Sequence, residues 1–375
     1  MRICITRSEK YSYSETFIRD QLAGFSKFAE VYPIHTSRLP ERAEDGSLLS
    51  SWSFWILHKI VKVITGRRNN HFSNSGLKKY FLDNKIDVVL ANYGLTAAHL
   101  APICKAAGIP LLVIFHGHDA SDKKLLHEYR TKYRALFSYA SVIIAVSEDM
   151  KNKLIELGAA PEKVTVISCG VDTAKFKPSS ANKEKIFLAV GRFVDKKGPL
   201  HTIRAFHEVW KKHPAARLIM AGAHSGLYRE AKKLTDSLDM HDVVLFPGIV
   251  PHEEVRQLMN KAFAFVQHSL TAANGDMEGT PVGILEAAAA GLPVISTLHG
   301  GIREAVVHGK TGCLVPEGDT KAMAGYMIQL LEDELLVSEM RQAARNHILE
   351  HYDQEKQIKK LSDQAIRATT TPHTS

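Results

Sequence analysis

Short apolar, β-branched runs alternate with longer segments of helical period along nearly the whole chain. The runs Arg2–Thr6, Val31–Ile34, Val88–Asn92, Leu111–His116, Val142–Ser147 and Val164–Ser168 read as strands. A polar stretch from Gly170 to Lys183 interrupts the pattern. A second series follows: Ile186–Val190, Arg217–Ala221, Val243–Phe246, Ala264–Gln267, Pro293–Ser296 and Cys313–Val315. Nearly continuous apolar strands spaced by helices predict parallel sheets covered on both faces. Two such series predict an α/β chain of two doubly wound, Rossmann-like domains facing each other across a cleft. Ligands of such sheets bind beyond the carboxyl ends of the strands. The expected boundaries are 1–178 for the first domain and 184–350 for the second. A helix over 351–367 is expected to pack back on the first domain, and 368–375 reads as a disordered polar tail.

Composition adds little to this picture, and charge adds more. The 375 residues are 45% hydrophobic and 23% charged, ordinary for a globular protein and enough for two cores. No apolar run is long enough to span a bilayer, and Arg2–Thr6 is too short for the apolar part of a signal peptide. Cys4, Cys104, Cys169 and Cys313 lack metal-ligand spacing, so free thiols and a cytoplasmic location are expected. The net charge of +8 admits anionic partners. No acidic residue occurs between Gly46 and Leu82, where Lys59, Lys62, Arg67, Arg68, Lys78 and Lys79 fall. Within that stretch, Trp52 to Ile64 reads either as an interfacial helix touching an anionic membrane surface or as a domain helix with a solvated basic edge.

The candidate chemistry collects at strand ends. In Glu278-Gly-Thr-Pro-Val-Gly-Ile-Leu-Glu286, Thr280 suits an N-cap and Pro281 the first helical position. Such a helix start offers N–H groups and a positive dipole end to a phosphate. Glu278 and Glu286 then flank that seat, which suits a ligand with hydroxyls at both ends, as a nucleotide-sugar has. Gly191-Arg-Phe-Val-Asp-Lys-Lys-Gly198 follows a strand, and its Arg192 and Lys197 complement a diphosphate. Phe115-His-Gly-His-Asp119 ends another strand, where His116 could bond a sugar hydroxyl. His118 and Asp119 are weaker candidates, and a zinc site there lacks a fourth ligand. Ser14, Glu15 and Thr16 sit after the first strand, where they read equally as a helix cap or as acceptor contacts. No Walker A sequence and no Asp-x-Asp pair is present, so phosphate charge falls to Arg192, Lys197 and helix dipoles.

With these motifs the chain resembles the family-4 retaining glycosyltransferases of the GT-B fold. The paired glutamates with seven residues between them, the Gly191-Arg192 and Lys197-Gly198 turn, and His116 all match. So do Gly291-Leu-Pro-Val-Ile-Ser-Thr-Leu-His-Gly-Gly-Ile-Arg-Glu304 and Gly309 to Asp319. The resemblance implies transfer of a sugar from a UDP- or GDP-linked donor, with retained anomeric configuration and no metal or other cofactor. It implies Glu278 and His116 as catalytic residues. Arg192, Lys197, Gly279, Thr280, Pro281, Val282 and Glu286 would bind donor, with Glu286 on the ribose. Ser14, Glu15, Thr16, His118 and Asp119 would bind acceptor. Many relatives carry Phe-Gly where this chain has Thr280-Pro281, so one N–H usual at that spot is missing. Ser14-Glu-Thr-Phe17 and Thr271 to Glu278 resemble bacterial enzymes of exopolysaccharide, colanic acid-like and lipopolysaccharide assembly. Those imply a saccharide or lipid-linked acceptor at the inner face of the cytoplasmic membrane, and no nucleic acid. A nucleotide-sugar epimerase of the same form, a phosphorylase or sucrose-type synthase, and a non-catalytic sugar-nucleotide-binding protein are the other readings.

Overall fold

The computed structural model describes residues 1–8, 16–35, 39–50, 56, 60, 71–179 and 184–370. The chain divides into two compact units, Met1–Ile167 with Ile358–Ser375, and Ser168–Gln357. The first holds strands β1 (Arg2–Arg7), β2 (Glu30–His35), β3 (Arg42–Ala43), β4 (Val88–Asn92), β5 (Leu111–Phe115), β6 (Val142–Ala145) and β7 (Val164–Val166). They lie in the order β3-β2-β1-β4-β5-β6-β7, parallel except for the antiparallel edge pair β2 and β3. Every residue of β4 and β5 is buried, as expected for inner strands with helices on both faces.

The second unit holds β8 (Ile186–Val190), β9 (Arg217–Ala221), β10 (Val244–Gly248), β11 (Ala264–Val266), β12 (Val294–Thr297) and β13 (Gly312–Val315). Their order is β10-β9-β8-β11-β12-β13, all parallel. Strand alternation splits the core between the two faces. Ile186 and Leu188 enter one cluster with Phe265, Leu285 and Ala287 to Ala289, while Phe187 enters the other with Phe206, Val266 and Met323. In both sheets the strand order reverses once, between β1 and β4 and between β8 and β11. Such reversals open a crevice at the strand ends.

The division falls at Ile167, upstream of the 178–184 stretch expected from sequence. The reason is packing. Val171 bridges to Asp353, Phe176 is buried in the core of the second unit, and Arg345 donates to the carbonyls of Thr173 and Phe176 at 2.9 and 2.6 Å. The last helix, Gln354–Thr370, passes from the second unit into the first at Ile358. Ala368 to Thr370, expected in the tail, complete that helix, and Ala368 is buried. Residues 371–375 lie outside the described residues, as does almost all of the 52–64 stretch.

Candidate active site

In the second unit the glycine-bounded turn and the glutamate-bearing helix meet at the β8/β11 reversal. Gly198 has φ +50°, and a Cβ there would lie 2.0 Å from the His268 carbonyl just past β11. The Leu270 N–H donates to the Lys196 carbonyl at 3.0 Å. The turn is therefore fastened across the mouth of the crevice. A Cβ on Gly283 would touch the Val190 carbonyl at 3.5 Å, which sets the start of helix Val282–Ala289 against the end of β8. That helix is nearly all Ile, Leu and Ala after Gly283. Such residues favour helix, and their small side chains let it lie buried against the sheet.

The start of this helix sits one residue later than expected. Pro281 occupies the capping position with φ −75° and ψ 103°, and no side chain caps it. Its fixed φ suits either position, and its extended ψ decides between them. Ile284 N–H turns back to the Pro281 carbonyl at 2.9 Å, so the N–H groups of Val282 and Gly283 precede the first intrahelical bond. Thr280 is buried just outside.

Both glutamates are paired. Lys197 Nζ lies 3.0 Å from Glu278 Oε1 and donates to Gln267 Oε1 at 3.2 Å. Burial alone would push the Glu278 carboxyl up. The charges of Lys197 and Lys196 outweigh burial and hold it below its ordinary value, so Glu278 is an anion. Lys196, also buried, bonds Asp276 Oδ1 at 3.0 Å and the Met277 carbonyl at 3.3 Å. Glu286 is buried and meets His252 Nε2 at 2.9 Å, and His252 stands edge-on to Phe176. Arg192 is exposed on the turn. Gly279, buried, joins Glu278 to Thr280.

In the first unit the His116 ring bonds to a neutral amide. Asn92 ends β4 and ties it to β1: its Nδ2 donates to the Thr6 carbonyl and to Gln21 Oε1, each at 2.9 Å. That leaves Asn92 Oδ1 to accept from His116 Nε2 at 2.9 Å. An amide oxygen only accepts, so His116 carries its proton on Nε2 and leaves Nδ1 bare. Nδ1 is buried without a hydrogen-bond partner among the described residues. Burial pushes the imidazole down to about 4, against the pull of Asp119, with His118 adding to the depression. Phe17 and Tyr93 pack on the ring, centroids 4.7 and 4.8 Å away, and Tyr93 also reaches His118 at 5.4 Å. Tyr93 holds φ +69°, a strained value for a residue with a Cβ.

Asp119 turns its carboxylate to backbone. It is fully buried, and its carboxylate accepts the N–H groups of His116, Gly117 and Gly94 at 3.0, 3.0 and 2.9 Å. One side chain thus braces the loops after β4 and β5. Among the described residues no group of His, Cys, Asp and Glu is arranged to hold a metal ion. Thr16 opens helix Thr16–Phe25 and is half-buried, while Ser14 and Glu15 lie outside the described residues. Among the described residues no helix is long and apolar enough to cross a membrane.

Comparison with known proteins places the chain in a family. Residues 171–347 match the family model described as Glycosyl transferases group 1, and residues 31–175 that described as Glycosyltransferase Family 4. A protein of Escherichia coli (strain K12), named as the colanic acid biosynthesis glycosyltransferase WcaL, is 34% identical over 304 residues, 74% of each chain. The amylovoran biosynthesis glycosyltransferase AmsK of Erwinia amylovora is 31% identical over 282 residues, 74% of this chain and 69% of its own. Among solved structures, Anabaena Alr3699/HepE in complex with UDP-glucose superposes with a TM-score of 0.76 at 19% identity, covering 98% of this chain and 100% of that one. The sucrose-phosphate synthase of Thermosynechococcus elongatus gives 0.75 at 18% identity, covering 98% of each. Those two likenesses establish the fold, which is GT-B. With sequence relatives above 30% identity over most of their length, the chain belongs to the family 4 glycosyltransferases and is a sugar-transferring enzyme.

Proposed function

We propose that this chain moves a sugar from a nucleoside-diphosphate sugar to a lipid-linked saccharide in bacterial exopolysaccharide synthesis, with retention of configuration and without a metal. The observation that carries the reading is the Lys197–Glu278 pair at 3.0 Å, beside the start of helix Val282–Ala289 and at the β8/β11 reversal. A cation, two N–H groups and an anion in one place suit a diphosphate joined to a sugar. The relatives named for colanic acid and amylovoran biosynthesis supply the pathway class.

In the proposed step the bond from the anomeric carbon to the diphosphate oxygen breaks. Lys197, Arg192 and the N–H groups of Val282 and Gly283 take up the charge that develops on the leaving group. Donors aimed at developing charge are worth about 3 kcal/mol each. Glu278, held as an anion, steadies the oxocarbenium character of the sugar carbon. The acceptor hydroxyl attacks from the face the diphosphate leaves, and its proton passes to the departing phosphate oxygen. Pro281 donates no N–H, so the seat relies on its two successors and on the cations. Glu286 takes the ribose hydroxyls. His116, bare at Nδ1, accepts a hydrogen bond from a sugar hydroxyl.

The test is product analysis. The protein is incubated with UDP- and GDP-sugars and membrane extract, with and without EDTA, and the product linkage is read by mass spectrometry and NMR. A lipid-extractable product of the donor's own anomeric configuration, formed equally in EDTA, is expected. An inverted linkage, or activity abolished by EDTA, refutes the mechanism. Donor isomerised without acceptor points instead to an epimerase.

A further inference from the structure

Glu278 sits at the end of a loop that runs from Thr271, and two residues from the matched runs 291–304 and 309–319, to which no role has been given so far, hold both ends of that loop. The Glu278 N–H donates to His299 Nε2 at 3.0 Å. His299 is fully buried just past β12, and its Nδ1 lies 2.6 Å from Glu317 Oε1. Since Nε2 accepts, Nδ1 carries the proton and donates it to Glu317, which fixes the tautomer from both sides. Glu317 Oε2 accepts the Thr271 N–H at 2.8 Å, and the Thr271 hydroxyl reaches Oε1 at 3.4 Å. Burial pushes the Glu317 carboxyl up, but the Thr271 N–H and the His299 ring outweigh it and hold it below its usual value. The residue after His299 closes the clamp. Gly300 has φ +44°, and a Cβ there would lie 2.4 Å from the Glu278 carbonyl. The Glu278 peptide is therefore gripped at its N–H by a ring and packed at its carbonyl by a glycine backbone.

We infer that Glu317 and His299 form a positioning dyad for the transfer step: by tying Thr271 and Glu278 they set where the Glu278 carboxylate stands relative to the donor sugar. The inference rests on the transfer reading above. His299 touches no substrate in this scheme and acts through the Glu278 backbone. A displacement of a catalytic group by about 1 Å can cost on the order of 100-fold in rate, so a loosened loop affects turnover. The nucleotide is held by other groups, so its affinity stays.

Two amides separate the two hydrogen bonds of the ring. Glutamine places its amide oxygen where Nε2 stands and can still accept the Glu278 N–H. Asparagine places its amide nitrogen where Nδ1 stands and can bond Glu317, leaving Glu278 unheld. Turnover of UDP-glucose, UDP-galactose, UDP-N-acetylglucosamine, GDP-mannose and GDP-fucose with membrane extract is measured for the parent, H299Q and H299N. Binding of UDP and GDP alone is measured by calorimetry. The expected result is kcat within about 3-fold of the parent in H299Q and at least about 10-fold lower in H299N, with nucleotide Kd unchanged in both. Equal rates in the two variants, or nucleotide affinity falling in step with rate, overturn the dyad while leaving the transfer reading intact. A parent inactive on every donor overturns both. Where H299N does not fold, 15N NMR of the parent ring decides: a bare Nε2 with a protonated Nδ1 supports the dyad, and the opposite tautomer overturns it.

Discussion

At the reversal of the first sheet, His116 and Asn92 share one proton on a buried ring and carry no charge between them, while at the reversal of the second, Lys197 and Glu278 face each other as ions. The two sheets have the same order around that point, so topology alone does not choose the chemistry. The side chains that follow each strand do. A neutral ring kept in one tautomer suits uncharged hydroxyls. Paired ions suit a ligand that arrives with charges of its own and can replace one partner of the pair. Burial costs the two sites differently: the first holds its histidine neutral, and the second keeps its carboxylate ionised by setting a lysine against it.

The largest expected break in that comparison is Lys197→Ala. It removes the cation from the proposed diphosphate seat and leaves Glu278 buried without its nearest partner. Turnover should fall about 100-fold or more, and the melting temperature should drop as well. Adding Glu278→Gln to it should restore the melting temperature and leave the rate low. A single variant with near-parental turnover would falsify the seat. The counterpart in the first unit is Asp119→Asn, whose amide nitrogen would face one of three N–H donors. Loss of a charge-assisted bond and a repulsive contact should cost about 1.5–3 kcal/mol in urea denaturation. Nucleotide affinity should not change, and a fall in it would undo the assignment of Asp119 as a brace.

Each unit also holds a buried imidazole whose proton affinity burial lowers, and acid should expose the likeness. His116 and His268 are both pushed by burial down to about 4, from an ordinary value near 6.5. Between those values the unfolded chain binds protons that the folded chain refuses. Stability is therefore complete above pH 6.5 and is lost as pH falls toward 4, at up to about 1.4 kcal/mol per pH unit for each ring. His116→Gln can still donate to Asn92, and His268→Gln can still accept the Gly318 N–H, which His268 Nε2 takes at 2.8 Å. Each variant should flatten the slope of unfolding free energy against pH. An unchanged slope in either would mean that ring is already charged in the fold.

Legibility followed locality. Each of the twelve strands expected from apolar runs is present within a residue or two, because a buried parallel strand announces itself in its own five residues. Strand β3 was not expected, since Arg42 and Ala43 pair antiparallel at an edge with no apolar run to mark them. The motif positions Glu278, Glu286, Lys197 and His116 were visible, but their partners were not. His252 lies 34 residues from Glu286, His299 lies 21 from Glu278, and Asn92 lies 24 from His116. Only the sheet order brings those together, and no spacing rule encodes it. Asp119 shows the converse: its neighbours in sequence suggested a ligand contact, and the fold spends its carboxylate on backbone. Lys196 carries no signal of its own in the sequence, since a buried lysine and an exposed one look alike until Asp276 is placed beside it.

The smallest expected effect, at His252, asks whether the pairing in the second unit serves the ligand or competes with it. His252 Nε2 meets Glu286 Oε1 at 2.9 Å and is about one-third exposed, while Glu286 is almost covered. If the ring orients the carboxylate for the ribose diol, His252→Ala should weaken UDP or GDP binding about 3-fold, less than 1 kcal/mol, and leave kcat unchanged. If the ring competes with the diol, the same variant should bind more tightly. A 2′-deoxynucleotide separates these from a general loosening of the site. It lacks one of the hydroxyls Glu286 is proposed to hold, so the parent and the variant should bind it nearly alike. A 3-fold loss that persists with the deoxynucleotide would place the effect in the packing of His252 against Phe176, not in its bond to Glu286.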